Sequence, residues 1–493
     1  MLFSAKPSVV LLCLVSLLTV SNACATQYTV SIAQENPRLA VVTAVIEPDG
    51  NEIRMNEEGV HGLENGWATF VEGLKVFAPD GRVIAVSEQS NSSWRLTGYN
   101  NGPVKLSYRV RLGHDQVPLN FGDNGAAYAT DWGVMWAGRA LFIAGKPARE
   151  FLLRFDLPET WRVTTPWDEK IGSANTFVVQ TTNDLVNSAF FAGTHEQFNL
   201  EAGAVTLRVA LSGDNTLTMR EQITDMTGQY LNYYETVYRS SGKASMVLIA
   251  ADRNSWGGEV MGRAISLSIG GKPPPGFNPL TVLAHVIAHE IFHVFSLIRM
   301  EIDDAPSFST WFNEGFGAEY AAWLARMRLG ELTQQQFLDQ IMVEVAKYQS
   351  KVDGGLTLAS AGYDKASNYD MVYSGGFVAA MTLDFLVRHE SDGARSLDDL
   401  WVYLLNQYPR GGEMLTLGGL INATRSLYGE TVSSRLSAYV NEPDPIALYD
   451  AAALLGLKVE NKTLSLSDHA SKRQRALWQG VLGDYRSGLY SGR

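Results

Sequence analysis

From residue 26 to about 213, apolar and polar side chains alternate in short runs broken by turn signals such as Pro48-Asp49-Gly50, Pro79-Asp80-Gly81 and Asn101-Gly102. Residues 104–112 and 151–157 carry the period of two that a strand with one buried face requires. Residues 26–213 are therefore predicted to form an all-β N-terminal domain, a sandwich that supports or shields its neighbour. From about Thr216 the apolar period becomes helical, interrupted by strand-like runs at 244–250 and 264–269. In the second run Ile265, Leu267 and Ile269 face one way and Ser266 and Ser268 the other, which predicts an edge strand. Lys272-Pro273-Pro274-Pro275-Gly276 can continue neither strand nor helix, and helical spacing resumes from 280 to about 298. A helix is predicted over 313–329 and ends at Gly330, a residue suited to a left-handed cap. Thr333 offers an N-cap for another that ends near 348. Further helices are predicted at 375–389, 397–407 and through 420–440, and the last fifty residues are too few for another conventional domain.

At 493 residues the chain is long enough for about three domains, and 46% hydrophobic with 19% charged side chains is a globular composition. The first residues are set apart from that reckoning. Lys6, the apolar run 9–20 and Ala23-Cys24-Ala25 have the three-part plan of a secretory signal, cleaved after Ala25. The run is shorter than the roughly 20 apolar residues of a bilayer span, and the mature chain is predicted to have no transmembrane segment. Export to the periplasm or the medium follows, with lipid attachment at Cys24 as the alternative. Cys13 and Cys24 are the only cysteines, so the mature chain forms no disulfide and depends on packing. The net charge of −12 becomes −13 when Lys6 is lost, which argues against nucleic acid as a partner. Lys472, Arg473 and Arg475 read as a solvated helix face, and the Asn-x-Ser/Thr triplets at Asn91, Asn422 and Asn461 as chance.

The chemistry is concentrated in His289-Glu290-Ile291-Phe292-His293, inside a predicted helix. Residues four apart lie one above the other on a helix, so His289 and His293 can offer two imidazole nitrogens to one metal ion. Glu290 is near that face but offset, placed to hold a water and not the metal. With 8 histidines in the chain, this pattern arises by accident with a probability of about 1%. The bland alternative is an amphipathic helix with ordinary, partly buried histidines. A third ligand has to come from elsewhere. Ser296 and Arg299 stand where a metzincin needs Gly and His. After twenty intervening residues from His293 comes Glu314, in Trp311-Phe312-Asn313-Glu314-Gly315-Phe316, and an antiparallel return of the chain would complete a His₂Glu site.

At these residues the chain resembles the gluzincin peptidases, and the glycyl aminopeptidase family most of all. The resemblance rests also on Asn183-Asp184-Leu185-Val186-Asn187-Ser188, Tyr373-Ser374-Gly375-Gly376, Leu383-Asp384, Arg388 and Ser396-Leu397-Asp398-Asp399-Leu400. It implies a β-rich N-terminal domain (26–213), a thermolysin-like α+β zincin catalytic domain (214–332) and an α-helical C-terminal region (333–493). It makes His289, His293 and Glu314 ligands of one Zn²⁺ per chain, Glu290 the general base and Tyr373 the oxyanion donor. Three departures stand out. The 20-residue segment between His293 and Glu314 is shorter than is common in the family. Gly257-Gly258-Glu259-Val260-Met261 matches the family's Gly-Gly-Leu-Glu-His only in part, which puts Glu259 in doubt as the recogniser of a substrate amine. The usual C-terminal PDZ domain has no room after Asp444-Pro445-Ile446-Ala447-Leu448.

The resulting expectation is an exported zinc peptidase acting on peptides or proteins, an aminopeptidase by resemblance. Glu259, Ser266, Ser268 and Glu319 are the candidate substrate contacts, the serines through strand addition along 264–269. An endopeptidase with the same chemistry and a noncatalytic metal-binding scaffold are the competing readings. His285 is expected to support the site without joining it, since three collinear residues cannot surround a tetrahedral ion. His61, His114, His195, His389 and His469 receive no role, while the Asp303-Asp304 pair could orient a ligand or meet a substrate amine, with a solvated carboxylate pair as the bland alternative.

Overall fold

The computed structural model describes residues 26–56, 63–90, 92–99, 101–114, 126–130, 132–239, 243–253, 255–270, 278–352, 354–443 and 446–483. The expected leader with Cys13 and Cys24, His61, Asn91, the proline run at 272–276 and the Asp444-Pro445 pair lie outside these residues.

The alternating pattern of the first half forms a nine-stranded and a four-stranded sheet. The predicted strands appear at Val104–Arg111 and Arg149–Asp156, their apolar residues inward and their polar ones outward. Between the sheets lies one aromatic-rich core that contains Trp67, Trp136, Phe142, Phe155 and Phe190. Two strands read with this half belong elsewhere. Glu196–Ala202 and Val205–Ser212 form a hairpin whose second strand pairs in parallel with Ala244–Asp252, so both join the second half's sheet. Alternation reveals that a segment is a strand and not which sheet it enters, which is why the break falls near 195 instead of 213.

That second sheet has the strand order 196–202, 205–212, 244–252, 264–269, 257–261. Ala264–Ile269 is therefore an interior strand, parallel to Ala244–Asp252 on one side and antiparallel to Gly257–Met261 on the other. The expected edge strand is instead Gly257–Met261, whose two glycines hide any alternation. Ser266 and Ser268 face inward beneath the first half, each only 1% exposed, and Ser266 Oγ lies near Met135 Sδ. An apolar layer of Met135, Ala137, Phe191, Val247, Ile249 and Ala264 joins the four-stranded sheet to this one.

The other face of the sheet carries the helices Arg220–Tyr238 and Pro279–His293, and one apolar core continues from Ala202 to Leu482 through the C-terminal region. Helix caps appear where the sequence places them. Thr333 and Gln336 exchange side-chain and backbone hydrogen bonds before Gln334–Val352. Ser396 and Asp399 form a capping box for Leu397–Gln407. Gly330 adopts φ of 79° after Tyr320–Arg328, and the expected 420–440 helix is two, Leu417–Tyr428 and Glu430–Asn441. The last residues add a short helix, a hairpin and the helix Lys472–Leu482, which packs on the same core and is held by Arg328 Nε donating to the Val481 carbonyl at 3.1 Å. Pro279–Ile298 and Met371–Glu390 are apolar and long enough to cross a membrane by composition, yet both are mostly buried in this core.

Candidate metal centre

The helix Pro279–His293 begins with Asn278, whose side chain accepts from the Leu280 amide at 2.9 Å, and proline at the first turn. Its inner face carries Ile287, Ile291 and Phe292, fully buried. His289, Glu290 and His293 are also buried, at 6%, 6% and 3% exposure, so these polar groups need partners.

The partners come from one returning segment. The helix expected at 313–329 starts earlier, at Pro306–Trp311, widens into a π-type turn over Phe312–Glu319 and continues as Tyr320–Arg328. In a regular α-helix two residues five apart point about 140° away from each other. The wider π turn brings positions 314 and 319 to one side. Glu314 Oε2 lies 3.1 Å from His289 Nε2 and 3.6 Å from His293 Nε2. Glu319 Oε2 lies 3.2 Å from His289 Nδ1, on the other edge of the same ring.

Donor atoms of His289, His293 and Glu314 all lie within 4.8 Å of one another, and the outer ring nitrogens are taken up. Glu319 holds Nδ1 of His289, and Ser296 Oγ lies 3.2 Å from Nδ1 of His293. That leaves both Nε2 atoms facing a common centre, the arrangement metal-binding histidines show when outer partners fix the tautomer. Two nitrogens and one carboxylate oxygen converging in this way fit a zinc ion. His285, His289 and Glu319 also cluster, but His285 is stacked on Trp323 with centroids 4.1 Å apart, and Glu319 accepts from Trp323 Nε1 at 2.7 Å. His285 thus braces Glu319 from behind. The same contacts remove Glu319 from the substrate contacts, since all its partners belong to this buried chain.

Lys365, absent from the sequence reading, donates to Glu314 Oε1 at 2.7 Å. Burial opposes ionisation of Glu314, but Lys365 and the two histidines outweigh it and hold the carboxyl well below the usual range. Burial pushes the Glu290 carboxyl up to about 7. Tyr373 reaches the centre from a third segment. Its ring stacks on His289 and on Tyr369, with centroids 5.7 and 4.1 Å away, and burial together with the nearby charge of Glu314 pushes its hydroxyl well above the ordinary phenol range. Two glycines allow this approach, because a Cβ on Gly315 would lie 2.8 Å from the Gly376 Cα.

The edge strand closes the site from above. A Cβ on Gly258 would fall 2.5 Å from Glu290 Cγ, so only glycine lets this backbone pass over the carboxylate. Glu259, next along the strand, lies close enough for its charge to act on Glu290 and Lys365. Arg139, from the first half, donates to Glu259 Oε1 at 2.6 Å. The structure thus joins His289, His293, Glu314, Glu290 and Tyr373 in one place, sets Glu259 beside it, and leaves Ser266 and Ser268 in the sheet interior.

Residues 27–194 match the Peptidase M61 N-terminal domain. That match covers the β-rich first half alone. Among solved structures the chain is similar to an aminopeptidase N family protein from Idiomarina loihiensis, at 16% identity and a TM-score of 0.72, over 88% of this chain and 79% of that one. It is also similar to a mutant M1 zinc metallopeptidase from Deinococcus radiodurans bound to a Tyr-Ser-Ala substrate, at 12% identity and 0.51, over 86% and 94%. These likenesses establish a shared multidomain fold with a β-rich first part and a helical last part. No curated protein matches the chain by sequence.

Glu319→Ala should weaken the binding of a divalent transition metal by about 10- to 100-fold without abolishing it, because His289 loses the group that orients it. A competitive chelator titration measures this. Unchanged affinity would remove Glu319 from the support of the centre.

Proposed function

We propose that this protein is a zinc metallopeptidase whose ligands are His289, His293 and Glu314, on a thermolysin-like catalytic unit formed by the second sheet and its helices. The observation that carries the reading is the convergence of three donor atoms within 4.8 Å, with Glu290 and the backbone of Gly258 against each other beside them. The leader adds that it acts outside the cytoplasm, in the periplasm or beyond.

Zinc bound there would polarise the scissile carbonyl and make water a better nucleophile. The chain's own residues do the rest. The outer strand Gly257–Met261 aligns the extended substrate backbone by strand addition and lays its carbonyl beside Glu290. Glu290 accepts the proton of the attacking water and then gives it to the departing amine. Its burial raises its proton affinity towards neutrality, which suits both halves of that transfer. The Tyr373 hydroxyl donates to the carbonyl oxygen as negative charge grows on it, and the stacked His289 and Tyr369 rings fix its aim. Lys365 holds the outer oxygen of Glu314 and leaves the inner one for the centre.

Hydrolysis from the amino end is the preferred form, with the substrate ammonium group drawn to Glu259 at the end of the cleft. A single observation favours the endopeptidase form instead. Glu259 is already paired with the buried Arg139, which offsets its charge.

Glu290→Gln should keep the fold and the zinc and lose nearly all turnover, because an amide cannot take the proton. Free peptides should be trimmed from the amino end by the wild type and their acetylated forms resist. Rapid internal cleavage of acetylated peptides would select the endopeptidase form, and a fully active, zinc-loaded Glu290→Gln protein would remove the mechanism.

Tyr373→Phe isolates one hydroxyl. Turnover should fall by about 10²–10³ with little change in the Michaelis constant, as when one oxyanion donor is lost elsewhere. Unchanged turnover would retire Tyr373 while leaving the metal ligands in place.

A further inference from the structure

Tyr373 stands in a turn of five residues, Met371–Gly375, widened like the one that carries Glu314. Such turns are rare and occur mostly as single insertions at functional sites. This one is gripped by two neighbours. The Glu314 turn packs on it so closely that a Cβ on Gly315 would strike the carbonyls of Val372 and Tyr373. The helix Gln334–Val352 also lies against it, and a side-chain hydrogen bond ties the two: Ser374 Oγ donates to Glu344 Oε2 at 2.6 Å. Ser374 is 1% exposed and Glu344 2%.

That bond departs from the habit of helical hydroxyls. Thr382, Thr424 and Ser426 each donate to the carbonyl four residues back, at 2.6–2.9 Å. Ser374 instead reaches across to another helix. Its partner is a carboxylate taken out of water, which is costly unless its oxygens find donors. Gln340 Nε2 and Lys347 Nζ, on Glu344's own helix, donate to Oε1 at 2.7 and 2.9 Å. They fix the carboxylate in place and turn Oε2 towards Ser374. Successive side chains of a helical turn point roughly 100° apart, so a bond that fixes residue 374 also sets the direction of residue 373. The rings of His289 and Tyr369 settle the plane of the phenol, and the serine settles the backbone from which it hangs.

We propose, on the oxyanion role given to Tyr373 above, that Glu344 and Ser374 are positioning residues for its hydroxyl. Their hydrogen bond sets the rotation of the Met371–Gly375 turn and so aims the phenol at the carbonyl oxygen of a bound peptide. Both act through Tyr373. A donor of this kind works only where it meets the oxygen on which charge develops, and a displacement of about 1 Å can cost on the order of 10²-fold in rate.

Ser374→Ala, Tyr373→Phe and the double variant test this on one peptide substrate, each protein zinc-loaded and checked for metal content and melting temperature. Turnover of Ser374→Ala should fall about tenfold with the Michaelis constant and the zinc content unchanged. Its affinity for a phosphinic peptide, whose tetrahedral oxygens imitate the transition state, should fall by the same factor. Without the phenol the serine should no longer matter, so the double variant should turn over within about twofold of Tyr373→Phe alone. Glu344→Gln, whose amide can bond the serine hydroxyl with either end, should stay within about threefold of the wild type. Wild-type turnover in Ser374→Ala, beside a slow Tyr373→Phe, would overturn the proposal and leave the oxyanion donor standing. So would losses that multiply in the double variant, the mark of a bond that only packs two helices together. Wild-type turnover in Tyr373→Phe would instead remove the oxyanion role, and the positioning of it as well.

Discussion

The centre depends on one constraint: His289 is held between two carboxylates of a single helical turn. Glu314 approaches Nε2 at 3.1 Å and Glu319 approaches Nδ1 at 3.2 Å. Five residues separate these acids, a spacing that a regular α-helix would splay apart. The widened turn at Phe312–Glu319 brings them together, and the ring between them is fixed in position and tautomer. His293 then needs only its place one turn along the helix and its contact with Ser296. Much of the surrounding packing serves this turn. Gly315 and Gly376 let the Tyr373 segment press against it, and Trp401 stacks on Phe312 with centroids 5.0 Å apart.

The two halves of the chain meet beside this centre. The edge strand Gly257–Met261 belongs to the second sheet, but its Glu259 is held by Arg139 of the first half. An apolar layer that mixes alanines with Met135, Phe191 and Ile249 joins the sheets. The β-rich first half thus places a side chain next to the centre as well as supporting it. Burial explains the electrostatics. Acidic groups crowd a water-poor pocket, and each is settled by a different neighbour: Glu314 by Lys365, Glu319 by His285, while Glu290 stays partly unopposed.

Much of the site was legible in the sequence because helical spacing is rigid. His289 and His293 are four apart, and a helix leaves one outcome for that pair. Glu314 followed from the need for a third ligand and a returning chain. Lys365 was not legible, since a lone lysine in a stretch without a period gives no signal of where it points. Glu319 was visible as a carboxylate, but its role depends on the π turn, which no apolar period announces. In the sheet, the alternation of Ile265, Ser266, Leu267 and Ser268 signalled a strand with two different faces, and the inference of an edge failed. The serines lie on the face covered by the first half, where Ser266 meets Met135, a tertiary fact outside the strand itself. The glycine-rich true edge, 257–261, had too few side chains to show alternation at all.

The central claim is that these three side chains hold one zinc ion, and metal analysis of the purified mature protein tests it most directly. About one zinc per chain is expected in the wild type, and a near-complete loss in His293→Ala and in Glu314→Ala proteins that remain folded. Full zinc occupancy in either variant, or a folded wild-type protein that takes up no zinc when it is supplied, would contradict the account.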